Sequence, residues 1–418
     1  MIDVIVIGGG PAGMLAAISS SRAGGKVLLL EKNEKLGKKL FITGKGRCNV
    51  TNSADEDEII KNIVSNPRFM YSSLKAYSNK DICADIEAEG IKLKEERGGR
   101  IFPVSDHSSD VIKALSKMLE KSGAKVWLRS EVTSVRKTDE GFDVLIKGRG
   151  KEQCRALIIA TGGLSYQSTG STGDGLKLAE SLGIGSIPCT PALVPLVTVE
   201  KWCSELQGLS LKNTGLKLIL GKKTVYEDFG EMLFTHFGIS GPMVLSASCF
   251  LDPAKYSDYE ISLDLKPALS IDELDDRLLR EIEGSRGKHF INMLPELLPS
   301  KMVPVIAGMS GVDPHKKCGD IKKEERKALA GLLKDLKVHI QETRGFEEAI
   351  ITKGGISVKE ISPKDMMSKK NPGLFFAGEV LDLDAKTGGY NLQIAWSTGH
   401  AAGVGSAEYI NILKGEKL

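Results

Sequence analysis

The stretch that decides the fold is VIVIGGGPAGMLAAISSSRAGGKVLLLE, residues 4–31. Val4 to Ile7 is a short apolar run typical of a buried parallel strand. A second apolar run, Val27 to Leu30, ends at Glu31. Between the two runs lies a G-x-G-x-x-G pattern formed by Gly8, Gly10 and Gly13. This combination of strand, glycine turn, helix, strand and acid predicts a Rossmann unit that binds a dinucleotide.

Each position of the unit has a predicted role. Gly8 permits the tight turn, Gly10 lets a pyrophosphate approach the backbone, and Gly13 lets the helix pack close to the strand. The helix N terminus, at Pro11 and Ala12, would hold the phosphates with its free N–H groups and its dipole. Glu31 would accept hydrogen bonds from both hydroxyls of an adenosine ribose. Glu31 with Lys32 beside it favours a ribose without a 2′-phosphate.

The segment GLFFAGEVLDLDAKTGGYNLQIAWSTGHAAG, residues 373–403, predicts which dinucleotide is bound. It begins with a buried strand, Leu374 to Ala377, that ends at Gly378 and Glu379. A helix rich in small residues follows Gly388-Gly389. Glu379 would bind a ribityl hydroxyl, and the N–H groups near Asn391 to Gln393 would meet the pyrimidine end of a flavin. Two such contact regions favour FAD, whereas the alternative is an ordinary terminal strand and helix.

Composition agrees with a globular enzyme of two or three domains. The 418 residues are 41% hydrophobic and 27% charged, with a net charge of +3. The seven cysteines form no C-x-x-C pair and the six histidines are dispersed, so no metal site is expected. No apolar run reaches the roughly 18 residues of a membrane span, and no signal peptide is recognised. We therefore expect a cytoplasmic enzyme that acts on a small molecule, without nucleic acid or membrane partners; the oligomeric state stays open.

The rest of the chain predicts an interrupted α/β fold. A cofactor domain would comprise residues 1–190 and 345–418, and the insert 191–344 would combine a β-rich part with a helical part near 271–335. Residues 36–52 are predicted to be a loop and 346–356 a strand, and Asp174 is predicted to cap a helix. The strand from Cys154 ends in Ala160-Thr161-Gly162-Gly163, a second place where the backbone could approach the dinucleotide.

Several longer strings carry a specific resemblance. They are TGKGRCNVTN (43–52), ATGGLSYQSTGSTGDG (160–175), GEMLFTHFGISGP (230–242), ITKGGI (351–356) and GEVLDLDAKTGGYNLQIAWSTGHAAG (378–403). Together they resemble the BaiN/YhiN-like flavoproteins, also called aminoacetone-oxidase-like FAD-binding enzymes. The resemblance implies a glutathione-reductase-type, Rossmann-like FAD domain with an inserted β-barrel that covers the flavin.

The resemblance also implies roles for individual residues. The ADP half would be held by Gly8, Gly10, Gly13 and Glu31, the adenine by the backbone of Val132, and the pyrophosphate by Ala160, Thr161 and Gly162. The flavin would be lined by Lys39, Gly44, Arg47, Cys48 and Asn49, with Gly378 and Glu379 at the ribityl chain and Asn391, Leu392 and Gln393 at the pyrimidine edge.

Three residues are candidates for catalysis, each with a structural alternative. Cys48 could form a flavin adduct, or it is a small buried side chain. Arg47 could stabilise an anionic reduced flavin, or it forms a structural salt bridge. His236 could act as an acid or base, or it is hydrogen-bonded inside the barrel.

The leading functional hypothesis is an FAD-dependent oxidoreductase that transfers a hydride between flavin and a small organic substrate. NADH or NADPH would act as a transient donor that binds without a Rossmann unit of its own, because no second strand–GxGxxG–helix unit is present mid-chain. The alternative is that no nicotinamide takes part and the organic substrate itself reduces the flavin. The alternatives are an amine or aminoketone oxidase using dioxygen, an RNA-modifying flavoprotein, and a redox sensor without catalytic function. The balanced charge and the lack of a basic patch with interleaved aromatic residues weigh against RNA.

Overall fold

The computed structural model describes residues 1–415, which form two compact units. The first comprises Met1–Ala192 and the chain from Gly345 onward, and the second comprises Leu193–Arg344. Each unit encloses its own cluster of buried apolar side chains. Within residues 1–415, no helix combines the length and the apolarity that a membrane crossing requires.

The N-terminal part of the first unit contains β1 (Ile2–Ile7), α1 (Pro11–Arg22), β2 (Val27–Leu30), α2 (Lys38–Ile42), β3 (Thr51–Asn52), α3 (Glu56–Lys61), α4 (Tyr71–Ala76), α5 (Asn79–Ala88), β4 (Leu93–Glu96), β5 (Arg100–Pro103), α6 (Ser108–Ser122), β6 (Lys125–Trp127), β7 (Val132–Thr138), β8 (Gly141–Ile146), β9 (Gly150–Ile159), α7 (Asp174–Ser181) and β10 (Ser186–Ala192). The second unit contains β11 (Leu196–Thr198), α8 (Trp202–Glu205), β12 (Ser210–Leu220), β13 (Lys223–Thr235), β14 (Gly238–Ser240), α9 (Pro242–Ser248), β15 (Tyr259–Asp264), α10 (Ile271–Gly284), α11 (Phe290–Met293), α12 (Val303–Met309), α13 (Lys323–Lys334) and β16 (Leu336–Thr343). The first unit resumes with α14 (Gly345–Glu348), β17 (Ile351–Ile356), β18 (Leu374–Phe376) and α15 (Tyr390–Lys414).

The main sheet of the first unit has the order β6-β2-β1-β9-β8-β7, and β18 also pairs with β9. Strands β6, β2, β1, β9 and β18 run parallel, whereas β8 pairs antiparallel with both β7 and β9. In register, Ile7 lies opposite both Leu30 and Ile159, and Ile159 lies opposite Phe376. The residues that follow these strands therefore meet at one edge of the sheet, where α/β folds bind ligands. This confirms the predicted Rossmann architecture.

Helices α1 and α15 pack backbone to backbone across the first unit. A Cβ atom on Gly399 would lie 2.5 Å from the Ala12 carbonyl oxygen, and one on Gly403 would lie 2.4 Å from that of Ala16. The small residues of α15 are therefore required by this close helix contact. Helix α15 belongs to the buried apolar cluster of the first unit, for example through Ile394 and Trp396.

The second unit is a closed barrel with the strand order β11-β14-β13-β12-β15-β16. Helices α10 and α13 belong to the same apolar cluster, α10 through Leu274, Leu278 and Ile282 at helical spacing. The barrel confirms the fold that the resemblance implied for the insert.

Three local predictions are wrong. The expected loop 36–52 contains α2, which begins at Lys38 and buries the Leu40 side chain. The expected strand 346–356 begins as α14 and becomes β17 only at Ile351. Asp174 does not cap α7; Gly173, with φ +78°, occupies the cap, and the Asp174 carboxylate pairs instead with the Lys32 ammonium at 2.5 Å.

Candidate cofactor site

The turn between β1 and α1 has no room for side chains at Gly8 and Gly13, whereas there is free space beside Gly10. Gly8 has φ +108°, and a Cβ there would lie 2.4 Å from the Ala160 carbonyl oxygen. A Cβ on Gly13 would lie 1.9 Å from the Gly8 carbonyl oxygen. A Cβ on Gly10 would have no neighbour within 4 Å. The backbone thus excludes side chains where strand and helix meet, and it leaves space where the predicted pyrophosphate lies.

The Glu31 carboxylate is fixed at the end of β2. It accepts hydrogen bonds from the Gly9 N–H and from the backbone and side-chain nitrogens of Asn33, each at 2.7 Å. Lys32 donates to the Thr172 hydroxyl at 2.7 Å and to Asp174. The Lys32 charge is therefore paired within the protein.

The segment after β9 carries an unsatisfied hydroxyl. Ala160 continues the sheet by donating its N–H to the Ile7 carbonyl at 2.9 Å, and Gly162 has φ +75°. The Thr161 Oγ1 atom is buried and has no hydrogen-bond partner among the described residues. A buried hydroxyl of this kind is normally satisfied, so a ligand oxygen at this edge would complete the site.

Glu379 and Lys39 form the centre of a polar network. The Lys39 ammonium lies 2.6 Å from Glu379 Oε2 and 2.7 Å from the Ser165 hydroxyl. Glu379 Oε1 accepts from the Ser165 hydroxyl and from the Thr352 N–H, both at 2.9 Å. The two charged side chains are only 18% and 22% exposed. The network joins α2, the segment after β9, β17 and the segment after β18 at the carboxyl edge of the sheet.

Arg47 is held by two carboxylates and an aromatic ring. Its guanidinium donates to Asp106, with Nε at 2.9 Å, and to Glu96, and it stacks on Phe102 at 4.2 Å from the ring centre. These contacts raise the pKa of Arg47 and lower those of Glu96 and Asp106. The observed contacts are those of the salt-bridge alternative, and a flavin contact of Arg47 or of Gly44 stays a prediction.

Cys48 is completely buried, with φ +60°. Burial raises the pKa of its thiol to about 12, so the neutral form dominates near neutral pH. We expect iodoacetamide at pH 8 to alkylate Cys48 in the native protein about a thousandfold more slowly than in the unfolded chain, as mass spectrometry of the labelled peptide would show. Rapid labelling of the native protein would instead identify an activated thiolate.

The N terminus of α15 is supported by side chains that the sequence analysis assigned to the flavin. Asn391 bonds the Ala385 N–H at 2.9 Å and the Ala385 carbonyl at 2.8 Å. The Gln393 amide bonds the Thr51 hydroxyl at 2.7 Å. Asn49, with its amide oriented to satisfy its partners, accepts from the Gly389 N–H at 2.9 Å. These side chains hold the surrounding loops in place.

The backbone of the same helix start offers the donors for a ligand. A helix leaves the first-turn N–H groups, here those of Tyr390 to Leu392, without intrahelical acceptors. The helix is 25 residues long, so its dipole favours negative charge at this end.

Asp384 was missed by the sequence analysis. Its side chain is fully buried, and neither carboxylate oxygen has a hydrogen-bond partner among the described residues. Burial raises its pKa to about 6, although nearby Ser65 and Lys353 act in the opposite direction. The sequence offered only an Asp in an L-D-L-D-A string, which does not distinguish a buried carboxylate from an exposed one.

Asp384 gives a pH-dependent stability prediction. Its folded pKa lies above its unfolded value of 3.8, so its stabilising contribution is complete below pH 3.8 and is lost as the pH rises through 6. We expect Asp384→Asn to stabilise the FAD-free protein by about 2–3 kcal/mol at pH 8 and by almost nothing at pH 4. Urea denaturation at both pH values measures this. Destabilisation at pH 8 would reveal a partner for the carboxylate.

Of the remaining candidates, Val132 lies two residues after Ser130, whose N–H donates to the Glu31 carbonyl at 2.9 Å, and His236 lies in the second unit. Val132 is buried at the start of β7, opposite Ile146. His236 belongs to the second unit, where it is exposed between β13 and β14 with its ring 4.9 Å from that of Phe237. The alternative that His236 is enclosed inside the barrel is therefore wrong, because the turn between the two strands directs it to solvent.

The residues present fit an FAD molecule. There is open space above Gly10, an unsatisfied hydroxyl on Thr161, a fixed carboxylate at Glu31 and a helix N terminus at Tyr390. Backbone donors and a helix dipole suit the phosphates and the pyrimidine carbonyls of a flavin. The chain is an FAD-dependent oxidoreductase with a Rossmann-type cofactor domain.

Comparison with known proteins identifies the family. The chain belongs to the family described as HI0933-like protein Rossmann domain, whose model matches residues 2–405. A ribosomal RNA dihydrouridine synthase of Escherichia coli (strain K12) is 33% identical, over 96% of this chain and 96% of that protein. A 3-dehydro-bile acid delta(4,6)-reductase of Clostridium scindens is 30% identical, over 96% of this chain and 98% of that protein.

A solved structure has a similar fold. The 3-ketosteroid delta1-dehydrogenase of Sterolibacterium denitrificans, in complex with 1,4-androstadiene-3,17-dione, matches with a TM-score of 0.51 and 14% identity. The match covers 97% of this chain and 99% of that one. At this identity the comparison supports the architecture alone.

Proposed function

We propose that the protein is an FAD-dependent reductase of a carbon–carbon double bond conjugated with a carbonyl group, and that its substrate is uridine in ribosomal RNA. The main support for this proposal is the similarity to two relatives that match nearly the full length of the chain. Their names denote a dihydrouridine synthase and a delta(4,6)-reductase, and both reactions saturate such a double bond. In uracil the C5–C6 bond is conjugated with the C4 carbonyl, as a steroid enone is with its ketone.

The reaction requires two electrons and two protons in total. NADH or NADPH would supply the electrons, and bound FAD would pass them to the substrate as a hydride at the carbon β to the carbonyl. A proton then reaches the α carbon, which completes the addition of two hydrogens. The nicotinamide would bind transiently, since the sequence carries a single glycine fingerprint.

The residues of the first unit would bind and orient the cofactor. The N–H groups of Tyr390 to Leu392 would stabilise negative charge on the pyrimidine of the reduced flavin. Glu379 would accept a hydrogen bond from a ribityl hydroxyl while Lys39, Ser165 and Thr352 hold it in place. Glu31 would do the same for the adenosine ribose.

The choice of RNA revises the expectation that no nucleic acid partner exists. That expectation rested on the balanced charge of the whole chain and on the lack of a basic aromatic patch in the sequence, whereas the RNA-directed relative matches nearly the full length. A steroid-like enone is the second candidate, favoured by the bile-acid reductase relative of equal coverage.

The test uses FAD-loaded protein with NADPH or NADH and ribosomal RNA transcribed in vitro, which lacks modifications. Digestion to nucleosides and mass spectrometry should show a uridine that has gained two hydrogens, together with nicotinamide oxidation that depends on RNA. A 3-keto-4,6-diene steroid in place of RNA tests the second candidate. Peroxide formation from an aminoketone without either activity would contradict the proposal.

A further inference from the structure

An exposed aromatic ring lies directly before the loop predicted to line the flavin. Phe41 is 46% exposed at the end of α2, and the loop 43–49 follows it in the chain. Its backbone is fixed, because its N–H donates to the Gly37 carbonyl at 2.9 Å and its carbonyl accepts from the Ser108 hydroxyl at 2.7 Å. A well-supported helix therefore presents this ring to solvent.

The ring has positive charge on either side of it in the sequence. The Lys35 ammonium lies 5.2 Å from the centre of the Phe41 ring, and Lys45 is exposed in the following loop. Neither ammonium group forms an ion pair with a residue in the range 1–415.

The carboxylates of the same surface are occupied by other cations. The pairs are Glu34 with Lys38 at 3.5 Å, Glu96 with Arg47, and Asp106 with Arg47 and with Lys94, the last at 2.8 Å. Lys35 and Lys45 are therefore left without an ion-pair partner in the range 1–415, although the Lys35 charge also acts on the neighbouring Glu34 carboxylate. The surface combines an aromatic face with net positive charge, the combination used to bind unpaired bases and their phosphates.

We propose that Phe41, Lys35 and Lys45 form a stacking platform for unpaired bases of the RNA substrate. This inference rests on the proposed function, because it names how that RNA is held beside the cofactor. A uridine inside a duplex cannot present its C5–C6 bond to a flavin, so the base has to leave its stack. Stacking of a neighbouring base on Phe41 offsets part of that cost, and the two ammonium groups contact the adjacent phosphates.

The charges favour RNA over a steroid as the occupant. A bile acid would use the Phe41 ring but carries one carboxylate, which can contact one of the two ammonium groups. A polyanion uses all three side chains, and its affinity depends on salt.

Four variants test the platform in the FAD-loaded protein. Phe41→Ala removes the ring, Phe41→Tyr retains it, and Lys35→Glu with Lys45→Glu reverses both charges. Phe229→Ala is the matched control, since Phe229 is 54% exposed on β13 of the second unit. The probe is an unmodified ribosomal RNA transcript, with affinity measured by fluorescence anisotropy at several salt concentrations and uridine reduction measured by mass spectrometry.

We expect Phe41→Ala to weaken RNA affinity about tenfold or more, with Phe41→Tyr close to the native protein. The double charge reversal should weaken binding and flatten the slope of log Kd against log salt by about 1–2. Phe229→Ala should leave affinity unchanged. Flavin bleaching by NADPH should be equal in all variants, which shows that cofactor and fold are intact.

Different results overturn different claims. If the native protein reduces RNA and Phe41→Ala binds it equally well, the platform is wrong and the proposed function stands. If the native protein neither binds nor reduces RNA, the proposed substrate fails and the platform fails with it. If Phe41→Ala impairs reduction of a steroid enone but not of RNA, the ring serves a steroid.

Discussion

Replacing Gly10 by valine is expected to weaken FAD binding about a hundredfold or more while leaving the fold intact. The backbone of Gly10 has φ −81° and ψ −176°, which valine adopts, and a Cβ there meets no protein atom within 4 Å. The added side chain would occupy the predicted pyrophosphate position and break its hydrogen bonds to the start of α1. Loss of two charge-assisted bonds costs about 3 kcal/mol or more, roughly a hundredfold in Kd.

Fluorescence titration with FAD measures the affinity, and thermal unfolding of the FAD-free protein measures the fold. Gly13→Val provides the contrast, because its Cβ would lie 1.9 Å from the Gly8 carbonyl oxygen. That variant should lose stability in the FAD-free form, whereas Gly10→Val should not. Unchanged FAD affinity in Gly10→Val would place the pyrophosphate elsewhere.

The second large effect is expected for Lys39→Met. The Lys39–Glu379 pair is largely buried, so removal of the ammonium leaves a poorly solvated carboxylate. Breaking such a pair costs about 3 kcal/mol, and the freed Glu379 should also lose its orientation toward the predicted ribityl chain. We expect lower stability in urea and weaker FAD binding together.

Lys38→Met is the matched control on the same helix. Lys38 pairs with Glu34 at 3.5 Å, and Glu34 is half exposed, so this surface pair contributes about 0–1 kcal/mol. Equal effects of the two substitutions would show that the Lys39–Glu379 pair has no special role. A double-mutant cycle with Glu379→Gln isolates the energy of the pair.

The Rossmann unit could be predicted from sequence because its signals are local. The run Val4 to Ile7, the glycine turn and Glu31 fall within one βαβ unit, and each carries its own steric or electrostatic reason. The barrel was predicted from the family resemblance, because a series of short alternating strands does not indicate whether the sheet closes into a barrel.

Long-range contacts explain what the sequence left open. The network of Lys39 and Glu379 joins residues far apart in the chain, and nothing near Lys39 indicates its partner. The helical start of residues 346–356 and the Lys32–Asp174 pair likewise depend on tertiary neighbours. The buried state of Asp384 follows from packing of its loop against residues near Val64. Local sequence patterns therefore predicted the class of cofactor. The hydrogen bonds and ion pairs of the residues at the site depend on tertiary packing, which those patterns do not specify.

The central claim, reduction of a conjugated double bond, is tested most directly in the absence of oxygen and of any nicotinamide. The FAD-loaded protein is reduced chemically, and unmodified ribosomal RNA is then added while the flavin absorbance is followed. We predict that the oxidised band returns and that dihydrouridine forms in equal amount. If the flavin stays reduced with RNA and with a dienone steroid, yet reoxidises with dioxygen after reduction by an aminoketone, the protein is an oxidase and the account is wrong.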